Sequence, residues 1–360
     1  MARKTRKIRR AEVNYITIKT KLEPVGQEDY LKLALLTEKF KRAVELAIRL
    51  QLRGIKKSEG VREVSRLILN NWWYSDSAWD YAKMLLKGAK QNGGNPRHIH
   101  LKSKFLISKP KENEKGNRNV RIEGLKVRIR SNGEWLNFKM KTTEKFLPVL
   151  LDAQKFKYGA QVVLRNGKVY LHVQVPFEVY LGRYRRTTNG RLYAGFDLNS
   201  DRVNMVILDG DGIIRDVRVK HFPEVNSPGF PRKKARDLRL NALARLLDYV
   251  FYHGVRVVFF EDLGRIKRKN GKATSSRRGN RKASNFAKKE LLEHGVVMAL
   301  KRGFNVYLVN PAGSSKLGRE IAQWLGLDVH SASAFVVGWW GVISLKTHEH
   351  SRKKNSSGRQ

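Results

Sequence analysis

At 360 residues the chain is long enough for two or three domains, and 41% hydrophobic residues can bury a core, which excludes a purely disordered basic tail. Lys and Arg number 74 against 32 Asp and Glu, a formal net charge of +42 that calls for a polyanion; nucleic acid is the usual one, because each neutralised phosphate releases condensed counterions. There is no cysteine, so disulfides and thiolate-held zinc are excluded.

The N-terminal arm, residues 1–13, is basic and lacks the apolar run of a signal peptide. VNYITIKTKL then alternates as a strand does and is closed by Pro24. From about Glu28, the residues Leu33, Leu36, Phe40, Val44, Ala47 and Ile48 recur at helical spacing, and Gly54 supplies a stop. A second helical stretch, about Val61 to Leu86, carries Trp72, Trp73 and Trp79. Among Leu67, Ile68 and Leu85 these read as core more readily than as base-stacking platforms. A polar, Gly-rich connector follows, and then two hairpin signals at Asn132-Gly133 and Asn166-Gly167. Together these elements predict a small, wedge-like β-barrel from residues 14–27 and 97–183, with a helical recognition domain, 28–96, inserted in it.

After the basic linker YLGRYRRTTNGR the architecture changes. RLYAGFDLNSDRVNMVILDGDGIIRDVRV reads as three strands, with Asp197 near the end of the first. Past the helical LNALARLLDYVFYHG, the buried-strand run VRVVFFEDLG ends in Glu261. A helical segment and the strand GFNVYLVNP lead to GLDVHSASAFVVGWWG, where Asp328 opens an apolar helix that contains Gly338 and Gly341. That apolar run is shorter than the ~18 residues of a membrane span.

Open sheets with parallel strands place their sites at strand carboxyl ends. Two strand-end carboxylates and a third opening a helix make the oxygen donor set that Mg²⁺, or Mn²⁺, requires for phosphoryl chemistry. Without cations three clustered acids repel one another, so the cluster itself calls for metal. Taken singly, a strand-end acid is more often a cap or turn residue; the order strand, strand, helix is what makes the set specific.

These segments resemble the RuvC-like nuclease domain of TnpB, the OrfB-type insertion-sequence protein related to type V CRISPR effectors. GFDLN is similar to that family's first motif, FFEDLG to its second and DVHSASA to its third, while NPAGSSKLG is similar to the segment before the third. The hairpin AQVVLRNGKVYLHVQV is similar to the end of the family's N-terminal barrel. The resemblance is close from about Gly159 to Gly341 and holds only in outline before that. It implies an α/β fold, RNase H-like over residues 192–341, and RNA-guided, Mg²⁺-dependent cleavage of target DNA. Asp197, Glu261 and Asp328 would then be the catalytic metal ligands. The family's four-cysteine zinc ribbon is missing: Ser314, Ser315 and Lys316 run directly into a short predicted helix ending near Gly326. His330 stands where Asn is expected, and fits a role in leaving-group or metal chemistry as well as a structural hydrogen bond.

GRIKRKNGKATSSRRGNRKASNFAKK, directly after Glu261, reads as a segment that orders on nucleic acid, with Lys267, Arg268, Lys269, Arg277 and Arg278 on phosphates; a solvated loop is the plainer reading. Residues 342–360 read as a disordered basic tail. The chain is therefore expected to be a cytoplasmic, nucleoid-associated prokaryotic protein with guide RNA and target DNA as partners, no membrane partner and no zinc. Its oligomeric state is left open. Two other readings stand beside cleavage under a guide: an RNA-guided DNA-binding regulator that does not cut, and a RuvC-like nuclease that needs no guide. No HUH motif or tyrosine-nucleophile context is present, so the link to transposition rests on association with an insertion sequence.

Overall fold

The computed structural model describes residues 8–91, 94–110, 114–263 and 285–357, and the chain forms two units. In chain order the first elements are β1 (Ile8–Arg10), β2 (Tyr15–Pro24), α1 (Gln27–Leu52), α2 (Lys57–Val64), α3 (Trp72–Gln91) and β3 (Lys104–Ser108). Next come β4 (Val120–Glu123), β5 (Lys126–Ser131), β6 (Glu134–Lys141), α4 (Leu147–Leu151), β7 (Gly159–Arg165), β8 (Lys168–Pro176) and α5 (Phe177–Tyr184). The remainder comprises β9 (Leu192–Leu198), β10 (Arg202–Leu208), β11 (Ile214–His221), α6 (Arg232–Tyr252), β12 (Val255–Glu261), α7 (Asn285–Lys301), β13 (Asn305–Val309), α8 (Ser314–Leu325) and α9 (Val329–Ser357).

One unit is Asn14–Arg183. Its seven antiparallel strands follow the order β3-β7-β8-β2-β6-β5-β4, and α1–α3 leave the sheet after β2 and return at β3. Both Asn-Gly pairs adopt positive φ, 47° and 89° at Asn132-Gly133 and 50° and 70° at Asn166-Gly167, as two-residue hairpin turns require. The sheet is not closed by strand pairing, because β3 and β4 are its two edges. A single parallel bridge, Gly116 with Lys157, and a set of side chains stitch the gap instead. The buried Tyr158 hydroxyl accepts from Ile122 N–H at 3.1 Å and donates to Val120 C=O at 2.7 Å, occupying backbone groups of β4. Asn117 Nδ2 reaches the carbonyls of Ser108 (3.0 Å), Lys109 (3.2 Å) and Tyr158 (3.0 Å). A buried backbone group needs such a partner, so these two residues do what another strand pair would do in a closed barrel.

The expected helix from Val61 to Leu86 is broken. Asn70 is left-handed, φ 45°, and the Asn71 side chain caps α3 by accepting from Tyr74 N–H at 3.0 Å. Asn tolerates both roles better than most residues. Only Trp79 is core, 4% exposed and laid over Gly60; Trp72 and Trp73 are 46% and 43% exposed.

The other unit is Met1–Val13 with Tyr184–Gln360. It is a mixed α/β layer structure whose six strands run β1-β13-β12-β9-β10-β11. β10 is antiparallel to β9 and β11, whereas β12 is parallel to β9 and β13. Alternation sends Ala194, Phe196, Val258 and Phe260 to one face, under Leu243, Leu247 and Val250 of α6 and Leu291 and Val296 of α7. Val257 and Phe259 face the other way, under Leu317 and Ile321 of α8 and Val336, Val337 and Trp340 of α9. The basic arm is not wholly an arm, since Ile8–Arg10 pairs antiparallel with β13 as an edge strand. Nor is the C-terminus a disordered tail from residue 342, because α9 runs through to Ser357 and Val342 and Leu345 still pack on the core. Among the described residues no helix is long and apolar enough to cross a membrane.

Candidate active site at two strand ends

Asp197 and Glu261 are the residues directly after the last register pair of the parallel strands β9 and β12, Phe196 with Phe260. Adjacent strands lie about 4.8 Å apart, and both acids fall on the face that α8 and α9 cover. Both are buried. Burial, and then the charge of Asp197, push the Glu261 carboxyl up to about 7, although the Ser314 hydroxyl and Lys288 pull the other way. Ser314, at the start of α8, donates to Glu261 Oε1 at 2.7 Å.

The N-terminus of α9 brings the remaining groups. His330 Nδ1 lies 3.1 Å from Asp197 Oδ2 and 3.2 Å from Asn199 Nδ2, which itself donates to the same Asp197 oxygen at 2.7 Å. Nδ1 serves one of these neighbours at a time: it donates to the carboxylate when protonated there and accepts from Asn199 in the other tautomer. Asp328 caps α9. Its Oδ1 accepts from the N–H groups of His330 (2.9 Å) and Ser331 (3.1 Å), and its Oδ2 accepts from Ser331 Oγ at 2.5 Å. Burial alone would raise the Asp328 pKa, but these donors outweigh it and hold the carboxyl below the usual range.

Close approach of α9 to the sheet makes this possible. A Cβ on Gly195 would lie 2.2 Å from the Ala334 carbonyl oxygen and 2.6 Å from Gly338 N. Backbone therefore meets backbone, and the first turn of α9 reaches the end of β9.

Of the sequence-predicted acids, the structure pairs Asp197 with Glu261 and caps Asp328 on its own helix, its Oδ1 also 3.5 Å from Nδ2 of Asn204, the β10 residue opposite Asp197. Among the described residues no three His, Asp or Glu side chains converge as a metal-holding group. The pair itself suits a hard divalent cation: two buried carboxylates repel, one is driven toward its protonated form, and a cation removes that cost. Lys267, Arg268, Lys269, Arg277 and Arg278 lie outside the described residues.

The sequence reading missed several polar groups. Asn204 stands directly across β10 from Asp197; its Nδ2 donates to Ser331 Oγ at 2.9 Å, and its buried Oδ1 has no partner among the described residues. Arg9 of β1 grips Asp262, the residue after Glu261, through Nε at 2.8 Å and Nη2 at 3.0 Å. Asn199 was legible, since it lies two residues after Asp197 and therefore on the same side of an extended chain. Arg9 and Asn204 were not.

The raised carboxyl carries a prediction. Folding lifts Glu261 above its ordinary value, so between that value and about 7 the folded state holds a proton that the unfolded chain has released. The stability it contributes is complete below the ordinary carboxyl range and is lost as pH rises through about 7. Without divalent metal, the urea midpoint is expected to fall more steeply over that window in the wild type than in Glu261→Gln, and saturating Mg²⁺ is expected to flatten the wild-type curve. Equal slopes in the two proteins would refute this origin for the shift.

Fold and site thus define the class: a mixed α/β protein with paired, buried carboxylates at the ends of adjacent parallel strands. Residues 15–185 match the SSO2105 N-terminal domain model. SSO2105 of Saccharolobus solfataricus is 36% identical over 325 residues, spanning 85% of this chain and 87% of its own. The chain belongs to the SSO2105 family. A protein of Aeropyrum pernix is 27% identical over 303 residues, covering 76% of this chain and 81% of its own. Among solved structures, Cas12f1 in its complex with sgRNA and target DNA aligns over 87% of this chain and 83% of its own, with TM-score 0.48 and 11% identity. RuvC of T. thermophilus, bound to a Holliday junction, aligns over 44% of this chain and 96% of its own, with TM-score 0.31 and 17% identity.

Proposed function

We propose that this chain is a metal-dependent DNA endonuclease of the TnpB type, RuvC-like in its nuclease half and directed to its target by a guide RNA. The observation that carries the reading is the Asp197–Glu261 pair, buried at neighbouring strand ends with Glu261 pushed up to about 7. A sheet of three antiparallel strands continued by two parallel ones supports the RNase H-like assignment. Asp197 and Glu261 would hold Mg²⁺ or Mn²⁺, with Asp328 as the third acid. A cation there supplies the positive charge that activates a water and stabilises the leaving oxygen in an in-line displacement. Ser314 orients Glu261, and Asn199 with His330 fixes Asp197. The net charge of +42 suits a protein that holds both a guide and its target by their backbones. Association with an insertion sequence belongs to the same reading.

One observation favours a second reading. Both Asp328 oxygens accept hydrogen bonds from the start of α9, a capping role that suits a guided DNA-binding protein that does not cut. Expression with the native flanking DNA, sequencing of the copurifying RNA and a cleavage assay with Mg²⁺ separate the possibilities. A discrete RNA with metal-dependent cutting of matching DNA is the expected result. A discrete RNA without cutting selects the regulator, and cutting that survives removal of all RNA selects a guide-independent nuclease.

A further inference from the structure

A basin of about 900 Å³ lies in the Asn14–Arg183 unit, at the N-terminus of α3 and beside β4 and β5. Its wall mixes aromatic and cationic groups. Trp72 and Trp73 are nearly half exposed, although both sit in a helix whose other tryptophan is core. The Arg118 guanidinium carbon lies 3.3 Å from the Trp73 ring centroid, so the planar cation is stacked on the indole. Arg121 and Arg130 line the same basin. Each also lies over Trp135, at 4.7 and 5.8 Å from its centroid. Stacking of this kind holds a guanidinium flat, with its N–H edge free in direction to meet a phosphate.

The floor holds an unmet donor. Asn119, 1% exposed, lines the basin, and its Nδ2 has no hydrogen-bond partner among the described residues. Its Oδ1 is fixed by Asn71 Nδ2 at 3.4 Å, the backbone N–H of Asn119 by Asn117 Oδ1 at 3.1 Å. Tyr74 holds the helix to the sheet, its buried hydroxyl donating to Arg130 C=O at 3.0 Å. A rigidly held amide donor left unpaired is costly unless something accepts from it, so its presence beside indoles and guanidinium groups points to a ligand with an acceptor edge, a π-face and negative charge. Two acids at the rim, Glu114 and Glu123, do not cancel the cations: Glu123 is ion-paired with Arg128, and Lys115, Arg118, Arg121 and Arg130 also line the basin.

We propose that this basin takes an unpaired nucleotide of a single-stranded nucleic acid, the base stacking on Trp72 and against the Arg118–Trp73 stack with its acceptor edge toward Asn119, and the phosphate meeting the guanidinium edges of Arg118, Arg121 and Arg130. A duplex keeps its bases stacked inside and offers no free face, which separates this site from general backbone binding. The site is independent of the strand-end acids, so a chain that never cuts would still carry it.

The test uses the full-length protein with short oligonucleotides as probes. A photoreactive-uracil oligonucleotide, cross-linked and mapped by mass spectrometry, is expected to mark the peptide carrying Trp72 and Trp73; marks confined to other peptides overturn the proposal. In anisotropy titrations, Trp72→Ala/Trp73→Ala is expected to weaken single-strand binding about 10-fold or more while duplex binding and the salt slope stay unchanged. Arg118→Ala is expected to lower the salt slope by about one. Equal weakening for single and double strands, or none, overturns it. Matched ribo- and deoxyribo-oligonucleotides distinguish an RNA occupant from a DNA one. Loss of cleavage in Asp197→Asn with the cross-link intact leaves this site standing, and loss of the cross-link with cleavage intact removes it alone.

Discussion

Asp197→Asn is expected to abolish metal-dependent DNA cleavage, by on the order of 10³-fold or more, while nucleic-acid affinity stays within about twofold of wild type. The substitution keeps shape and hydrogen-bonding capacity but removes one of the two buried negative charges that would hold a cation. Several kcal/mol of charge stabilisation rest on that ion, and each 1.36 kcal/mol is a factor of ten in rate. Affinity is spared because one charge lost at the site changes little against a net +42 spread over the chain. The variant also releases Glu261. With its charged neighbour gone, the Glu261 carboxyl should move back down from about 7, leaving only burial to raise it. A cleavage assay on matched wild-type and variant protein, with Mg²⁺ varied, checks the first part. Undiminished cutting with normal metal dependence would place the chemistry elsewhere.

Asp197 and Glu261 were legible because an apolar strand that ends in an acid is a local pattern, and the register of parallel strands then sets the two side by side. Asp328 shows the limit of such reading. The same Asp before an apolar helix serves as N-cap or as ligand, and both roles use the same residue at the same place; its helix takes both oxygens. Asn204 was hidden for another reason. Its place opposite Asp197 depends on the hairpin register of β9 and β10 and its link to Ser331 on a fold-back of 127 residues. Arg9 reaches Asp262 across 253 residues, and a three-residue edge strand leaves too short a pattern to detect. The tryptophans failed differently. Trp72 and Trp79 share a helical face by spacing, but Trp79 alone finds Gly60 beneath it, whereas Trp72 is the first residue of the helix. The stitching by Asn117, Tyr158 and the single Gly116–Lys157 bridge, which joins residues 41 apart, leaves no hairpin signal to be read in the sequence.

Gly195 is where fold and site depend on the same atoms. It sits two residues before Asp197 on β9, and the added Cβ of Gly195→Ala would meet the Ala334 carbonyl oxygen at 2.2 Å, Gly338 N at 2.6 Å and Gly338 Cα at 2.8 Å. All three are backbone atoms, so no rotamer change relieves the overlap and α9 must move as a body. Overpacking a core by a methylene costs about 1–3 kcal/mol when side chains can give way, and here they cannot. Gly195→Ala is therefore expected to lose about 3 kcal/mol or more of unfolding free energy, read from the urea midpoint at unchanged slope. Gly88→Ala makes the contrasting case: it lies in α3 with nothing within 4 Å of its Cβ, and is expected to gain up to about 1 kcal/mol from helix propensity. The two glycines separate close approach from simple flexibility. Because α9 begins with the residues that touch Asp197, lifting it also parts His330 from that carboxylate, now 3.1 Å away. The folded fraction of Gly195→Ala should thus lose cleavage along with stability. A variant that unfolds early yet cuts at the full rate while folded would show that the approach of α9 serves the core alone.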